Sequence, residues 1–206
     1  MFTRLTRNRT ALVGMLSSVV LTLLLAVVLI PGQSARAAAN APAATTLEIF
    51  AKIDTIPGDS VSDKFKGQIS IQSFSFAGMN SAPTGTGAGG GAGAGKSVAS
   101  PITFTAVAGS DSPLLLKALA KHTVLKTAVF SFVHVHTEGT SAVFQTYMLS
   151  NCTIVSFHQT APENGVVDEV QIAFSKVTYT FSLEKQDGTL GTTTTVTWDI
   201  KANTAG

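Results

Sequence analysis

The alternation between Leu47 and Phe76 limits the folds open to this chain more than any other stretch. Leu47, Ile49, Ala51 and Ile53 alternate with Glu48, Phe50, Lys52 and Asp54. That is the period of a strand with one strongly apolar face. Pro57-Gly58 breaks the run, because proline fixes φ and glycine admits positive φ. A polar loop, Asp59 to Lys66, comes next, and Gln68 to Phe76 reads as a second strand. Its apolar side switches from Ile69 and Ile71 to Phe74 and Phe76. A bulge near Gln72-Ser73 accounts for the switch and bends the strand. The folded domain therefore begins with a curved pair of strands, and later strands must find partners in it.

Most of the remaining chain is also strand. Pro101 to Ala106 alternates. Val124 to Val135 is apolar on both faces, with Phe130 and Phe132 on one and Val129, Val133 and Val135 on the other. Val143 to Phe157 is long and alternating. Val166 to Leu183 changes face, which predicts a bend near Ser175-Lys176. After a turn at Asp187-Gly188, Thr192 to Ile200 closes the set. One helix interrupts them, opened by Asp111-Ser112-Pro113 and running to about His122. Ser112 is expected as its N-cap with Pro113 at N1, and Leu115, Leu116 and Leu119 as its buried side. A helix this short does not persist alone, so it must lie on a sheet or plug a barrel end. The fold class is mainly β: a small barrel of two curved antiparallel sheets with one short helix.

Met1 to Ala37 stands apart from that domain. Arg4, Arg7 and Arg9 precede an apolar run, Ala11 to Ile30, and Ala35-Arg36-Ala37 offers a small-x-small cleavage site. This is the order of a Sec-type export signal, and the protein is expected to be secreted. Left uncut, residues 11–30 are long enough to anchor in a bilayer. Residues 38–46 then form a tether, and residues 47–203 one domain. All four arginines lie within the first 36 residues. The remainder carries ten lysines against twelve acids, a net of −2 (10 − 12), so the chain is formally positive only because of the leader's four arginines. A domain without arginine lacks the fork that reads guanine edges or clamps phosphates, so nucleic acid is excluded as a partner. The single cysteine, Cys152, permits no internal disulfide.

Ala77 to Ser100 is the compositional outlier, read as a Gly-rich loop. Within it Gly90-Gly91-Ala92-Gly93-Ala94-Gly95-Lys96-Ser97 matches the P-loop pattern letter for letter. A phosphate cradle needs a strand before it and a helix after it. Here a Gly/Ala run precedes and a strand pattern succeeds it, so the match is a product of composition and no nucleotide cofactor is expected.

The order of the pieces resembles the Hcp family, the haemolysin-coregulated tube proteins of bacterial type VI secretion. Phe50-x-Lys52-Ile53-Asp54-x-Ile56-x-Gly58 carries the resemblance best. Ser60-x-x-Asp63-Lys64-x-Lys66-Gly67, then Ile69 and Ser73-Phe74-Ser75, continue it. Ser112-Pro113-Leu114 is similar to the opening of the family's single helix. Val170-x-Ile172-x-Phe174-x-Lys176-Val177-x-Tyr179 is similar to its late strand, ahead of Asp187-Gly188. The resemblance implies a β-barrel whose subunits form hexameric rings that stack into a tube and carry effectors. It also implies that the charged loop with Lys64 and Lys66 meets a neighbouring subunit. Two features depart from the family pattern: the export signal, and the Gly-rich run where the family has an extended loop joining stacked rings.

Candidate sites for chemistry are few. His134 and His136 share one face of a strand and would need a third ligand to hold a metal; Glu138 is the nearest carboxylate. In an interface the pair would instead sense pH. Cys152 and His158 fall on one face of a straight strand but about 20 Å apart, too far for a hydrogen bond. Asn151-Cys152-Thr153 fits the N-glycosylation pattern but sits mid-strand. Ser156, His158 and Asp168 supply the residue types of a triad, yet no Gly-x-Ser-x-Gly elbow surrounds a serine. No catalytic, metal or cofactor residues are assigned, and the chain reads as non-enzymatic. The expected function is structural: self-assembly into hexameric rings, with Lys64, Lys66, Val129 and Val133 at the contact. The rival reading is a secreted monomeric barrel that binds an effector or a surface protein.

Overall fold

The two-residue period at Leu47–Ile53 becomes β1, Thr45–Ile53, the strand on which the barrel is laid out. The structure is a computed structural model and describes residues 45–80, 97–136, 140–185 and 187–206. The export segment, the tether up to residue 44, most of the P-loop match and Glu138 lie outside the described residues. Among the described residues, no helix is long and apolar enough to cross a membrane.

β1 pairs antiparallel with β2, Ile69–Ser75, on one side and with β6, Leu125–His136, on the other. β2 pairs with β5, Ile102–Val107, and β5 with β8, Val167–Ala173. β6 pairs with β7, Ser141–Thr160, and β7 returns to β8. The order β7-β6-β1-β2-β5-β8, joined again at β7–β8, is a closed barrel. Closure removes the exposed edges that an open sheet would present. The predicted bulge is present: the β2–β5 register shifts between Ile71 and Ser73.

β7 does two jobs. Its second half, Thr153–Thr160, seals the barrel against β8, while Gln145–Ser150 pairs with β9, Lys176–Glu184. β8 and β9 are the two parts of the stretch expected to bend near Ser175. The chain turns there through one spot on each strand. Asn151 takes a positive φ of 50°, its side-chain amide donates to Ser175 Oγ at 3.2 Å, and Ser175 N–H donates to Ser150 O. Beyond β9 the sheet continues through β10, Leu190–Asp199, to β11, Thr204–Ala205. The glycine-rich stretch is not loop to its ends. Gly78–Asn80 (β3) pairs with Ser97–Ala99 (β4). The segment after the Gly/Ala run is thus a strand, as its pattern required, rather than a phosphate-binding helix.

Aliphatic and aromatic side chains from all six barrel strands fill the interior, among them Ala51, Ile71, Phe104, Phe130, Cys152 and Ile172. The helix α1, Ser112–Ala120, adds Leu115 and Ala118 to that core and packs against β7. Two details of the helix differ from expectation. Asp111, not Ser112, occupies the N-cap position and makes no side-chain cap, while Ser112 Oγ accepts from Gly109 N–H and donates to Asp168. Leu116 is exposed, and Leu114 takes its place against the core beside Leu119.

Candidate self-association surface

The outer wall of β1 and β6 is where the apolar residues of this fold exceed what the barrel interior needs. β6 is apolar on both faces, in keeping with the pattern of Val124–Val135. Phe130 and Phe132 point into the core, while Val133 and Val135 belong to a second, separate cluster outside it. That cluster has a cover supplied by the chain itself. Phe65, from the loop between β1 and β2, stacks flat on Phe50, with ring centroids 4.4 Å apart, and together they bury Val133 to 1% exposure. Phe50 therefore does not face water with Glu48 and Lys52 as the alternation suggested. β1 is apolar on both sides at that one position.

Glycine makes this cover fit. Gly58 N–H donates to Gly67 O at 2.9 Å, and Gly67 N–H donates to Ser60 O at 2.8 Å, folding the loop on itself. A Cβ at Gly58 would collide with the backbone of Gln68 and Ile69, and Gly67 holds a positive φ of 71°. Both positions need a residue without a side chain. The loop is thereby fixed with Phe65 inward and Lys64 and Lys66 exposed. Lys64 Nζ donates to Ser141 O at 3.1 Å across an open groove of about 600 Å³.

Next to this covered patch lies an uncovered one. Val129 faces outward at half-burial, with Lys52 on one side and Met148 on the other; Met148 is 43% exposed. The row continues into hydroxyls: Thr178 pairs with Thr197, Thr180 with Thr195, and Ser182 with Thr193, each pair within hydrogen-bond distance. An apolar centre rimmed by lysines and hydroxyls is the composition of a protein contact surface. Of the four residues expected at a subunit contact, Lys64, Lys66 and Val129 are open to a partner. Val133 is not: it lies under Phe65. Sequence reasoning missed Phe65 and Met148. The signal for Phe65 was a lone aromatic in an otherwise polar loop.

The histidine pair finds a carboxylate from far along the chain. Glu184 of β9 reaches both rings: His134 Nδ1 contacts Oε2, and His136 Nε2 lies 2.6 Å from Oε1. The second contact has the distance of an ion pair without the angle of a hydrogen bond. His134 also stacks on Phe144. No group of three metal-ligating side chains among the described residues is placed to hold a metal ion, so the cluster is a clamp joining β6 to β9. The bond from His134, then its charge and the contact with His136, hold the Glu184 carboxyl below its ordinary value. A depressed carboxylate pKa contributes stability that is present above the ordinary value and lost as pH falls through the folded value. Urea midpoints of the wild type are expected to fall below about pH 4.5 more steeply than those of Glu184→Gln, which lacks the titrating group. Parallel pH curves for the two proteins would show that the clamp adds nothing.

The remaining sequence candidates do not converge. Cys152 is fully buried and its thiol is pushed up to about 11 by that burial. His158 is exposed on the opposite face, because the register shift between Ile154 and Ser156 turns β7 over. This corrects the expectation of a shared face. Asp168 accepts from Ser112 Oγ and, at 2.7 Å, from Gln159 Nε2, and makes no bond to His158.

The family description "Type VI secretion system effector, Hcp" matches residues 50–181, from the stacked Phe50 to the middle of β9. The chain belongs to the Hcp family. Solved structures agree on the fold. One described as a type six secretion system protein superposes with a TM-score of 0.71 at 19% identity, covering 78% of this chain and 100% of its own. Hcp1 from Salmonella typhimurium gives 0.63 at 23% identity, with 77% and 98% covered. A type VI secretion system effector from Yersinia pestis gives 0.57 at 18%, with 73% and 98% covered. No curated protein matches the sequence. The family is that of the secreted tube and effector proteins of type VI secretion, and the matched residues run from within β1 to within β9.

Proposed function

We propose that this chain is a non-enzymatic structural subunit that self-associates into hexameric rings. The supporting observation is the outward row of Lys52, Val129 and Met148 on a barrel that is already closed. The barrel has no internal use for that row, and the chain's own loop stops short of it, covering Val133 instead. A ring of identical subunits buries such a patch against a different patch on the next copy, so every subunit is satisfied when the ring closes. Lys64 and Lys66 stand at the rim of the same wall, where charges set register and orientation more than affinity. Sedimentation of the full chain tests the reading, with rings in negative-stain images as the expected result. A monomer at high micromolar concentration would overturn it and favour a secreted barrel that binds another protein.

The subunit is further proposed to be exported through its own leader, residues 1–37. The basic start, apolar run and Ala-x-Ala site support this. N-terminal sequencing of exported protein is expected to begin near Ala38. Exported material that still starts at Met1 would refute cleavage.

A further inference from the structure

The sequence holds two tyrosines, Tyr147 and Tyr179, and the fold brings them into contact. Tyr147 lies on β7 and Tyr179 on β9, and they are direct partners in the β7–β9 register. Their ring centroids are 4.8 Å apart, with the planes tilted by 38°. Directly opposed residues of an antiparallel pair hold their Cβ atoms about 4.5–5.5 Å apart. The rings therefore keep that spacing along their length instead of splaying, which sets the carbons ortho to the two hydroxyls side by side. The phenol ends sense each other: burial, then a charge on Tyr179, raise the Tyr147 hydroxyl above its ordinary value, with a hydrogen bond from Gln145 acting the other way.

The surroundings suit oxidation of this pair. Both rings keep part of their surface exposed, while Phe74, Phe76 and Phe132 pack around Tyr147. A phenylalanine ring gives up an electron far less readily than a phenol, so an oxidising equivalent that reaches the cluster settles on the tyrosines. Cys152 is no rival sink, being fully buried with its thiol pushed up to about 11. The position is also one where a covalent tie has an effect. β9, β10 and β11 continue the sheet beyond the closed barrel, and β7 is the barrel strand that carries them. A single cysteine leaves no disulfide to fasten them.

We propose that Tyr147 and Tyr179 are an oxidative cross-linking site, which hydrogen peroxide and a peroxidase convert into a dityrosine that staples β9 to β7. Each phenol gives up one electron and one proton. The two phenoxyl radicals pair to form a bond between ortho carbons, and the hydrogen on each of those carbons moves to its ring's oxygen, restoring both phenols. The chain loses two hydrogens, and the two electrons and two protons reduce one peroxide to two waters. Both partners come from one chain, so the site does not depend on ring formation.

Treatment of the dilute full chain with a plant peroxidase and hydrogen peroxide tests this. The expected product is a monomer lighter by two hydrogens, with the blue fluorescence of dityrosine and a proteolytic fragment that joins the Tyr147 and Tyr179 peptides. It should melt at a higher temperature than the untreated chain. Tyr147→Phe and Tyr179→Phe keep the ring packing, and each should abolish the intrachain product while circular dichroism shows the fold retained. Four results would overturn the proposal: no dityrosine in the folded wild type; dityrosine only between chains, in species of higher mass; oxidation that settles on Trp198 or Met148 with both tyrosines intact; or a linked chain that melts no higher than the untreated one, which would remove the staple.

Discussion

Val129→Asp is expected to turn a hexameric assembly into folded monomers, reducing the mass measured by light scattering about sixfold if the ring has the family's cyclic symmetry. The size of the effect follows from where the charge lands. In the free subunit Val129 is half-buried beside Lys52 on β1. An aspartate there faces water and an opposite charge across the strand pair, a combination worth a few tenths of a kcal/mol in its favour. In the proposed ring the same carboxylate would be sealed against a neighbour, at a cost of several kcal/mol when unpaired. Fold and assembly are thus separated by one substitution: circular dichroism should keep its strand signal while the mass falls. If Val129→Asp and the wild type share one mass, the Val129–Met148 patch is not the contact, whatever that mass is.

Val133→Asp, four residues away on the same face, is expected to do the opposite. It should unfold the protein. Val133 is enclosed by Phe50 and Phe65 within its own chain, so the new charge is desolvated before any partner arrives. Several kcal/mol is a large fraction of a small domain's total stability. Phe65→Ala tests the same cover from above. Removing a buried phenylalanine costs about 3–5 kcal/mol, and it uncovers Phe50 and Val133 together. Urea denaturation should place both variants far below the wild type, with Phe65→Ala also gaining binding of a hydrophobic dye. An unchanged midpoint for Val133→Asp would mean that the loop does not sit where the stacked rings place it.

The contrast between these two valines shows what the sequence reveals and what it hides. Period two identified β1, β2, β5 and β6 and the shared face of Phe130 and Phe132, because alternation is a local consequence of strand geometry. It also located the β2 bulge and the bend at Ser175, since a face switch must be absorbed somewhere. Alternation cannot say what covers an outer face. Val129 and Val133 are equivalent in the pattern, and only the folded-back loop with Phe65 distinguishes them. The histidine clamp was hidden for a similar reason. His134 and His136 are adjacent on β6, but Glu184 reaches them through the β7–β9 pairing, some fifty positions along. The Cys152–His158 relation failed because one irregularity in β7 turned the second half of the strand over. The Ser112 cap failed because Asp111 takes the N-cap position, while Ser112 Oγ donates to Asp168.

The seam that closes the barrel sets the order in which the protein becomes safe to make. β5 has one partner in β2 and waits for β8, which begins at Val167, for the other. β7 is needed on both sides of that closure. A chain still being synthesised, with β1, β2, β5 and β6 complete, carries an open strand edge bearing Ile102 and Phe104, a template for pairing with other chains. Premature termination before Val167 would therefore do more than shorten the protein. It would leave a sheet with unsatisfied backbone along β5 and a core open on that side. Residues beyond Pro162 thus protect the nascent chain from aggregation as well as completing its fold, and a truncated product should be found in the insoluble fraction of the cell.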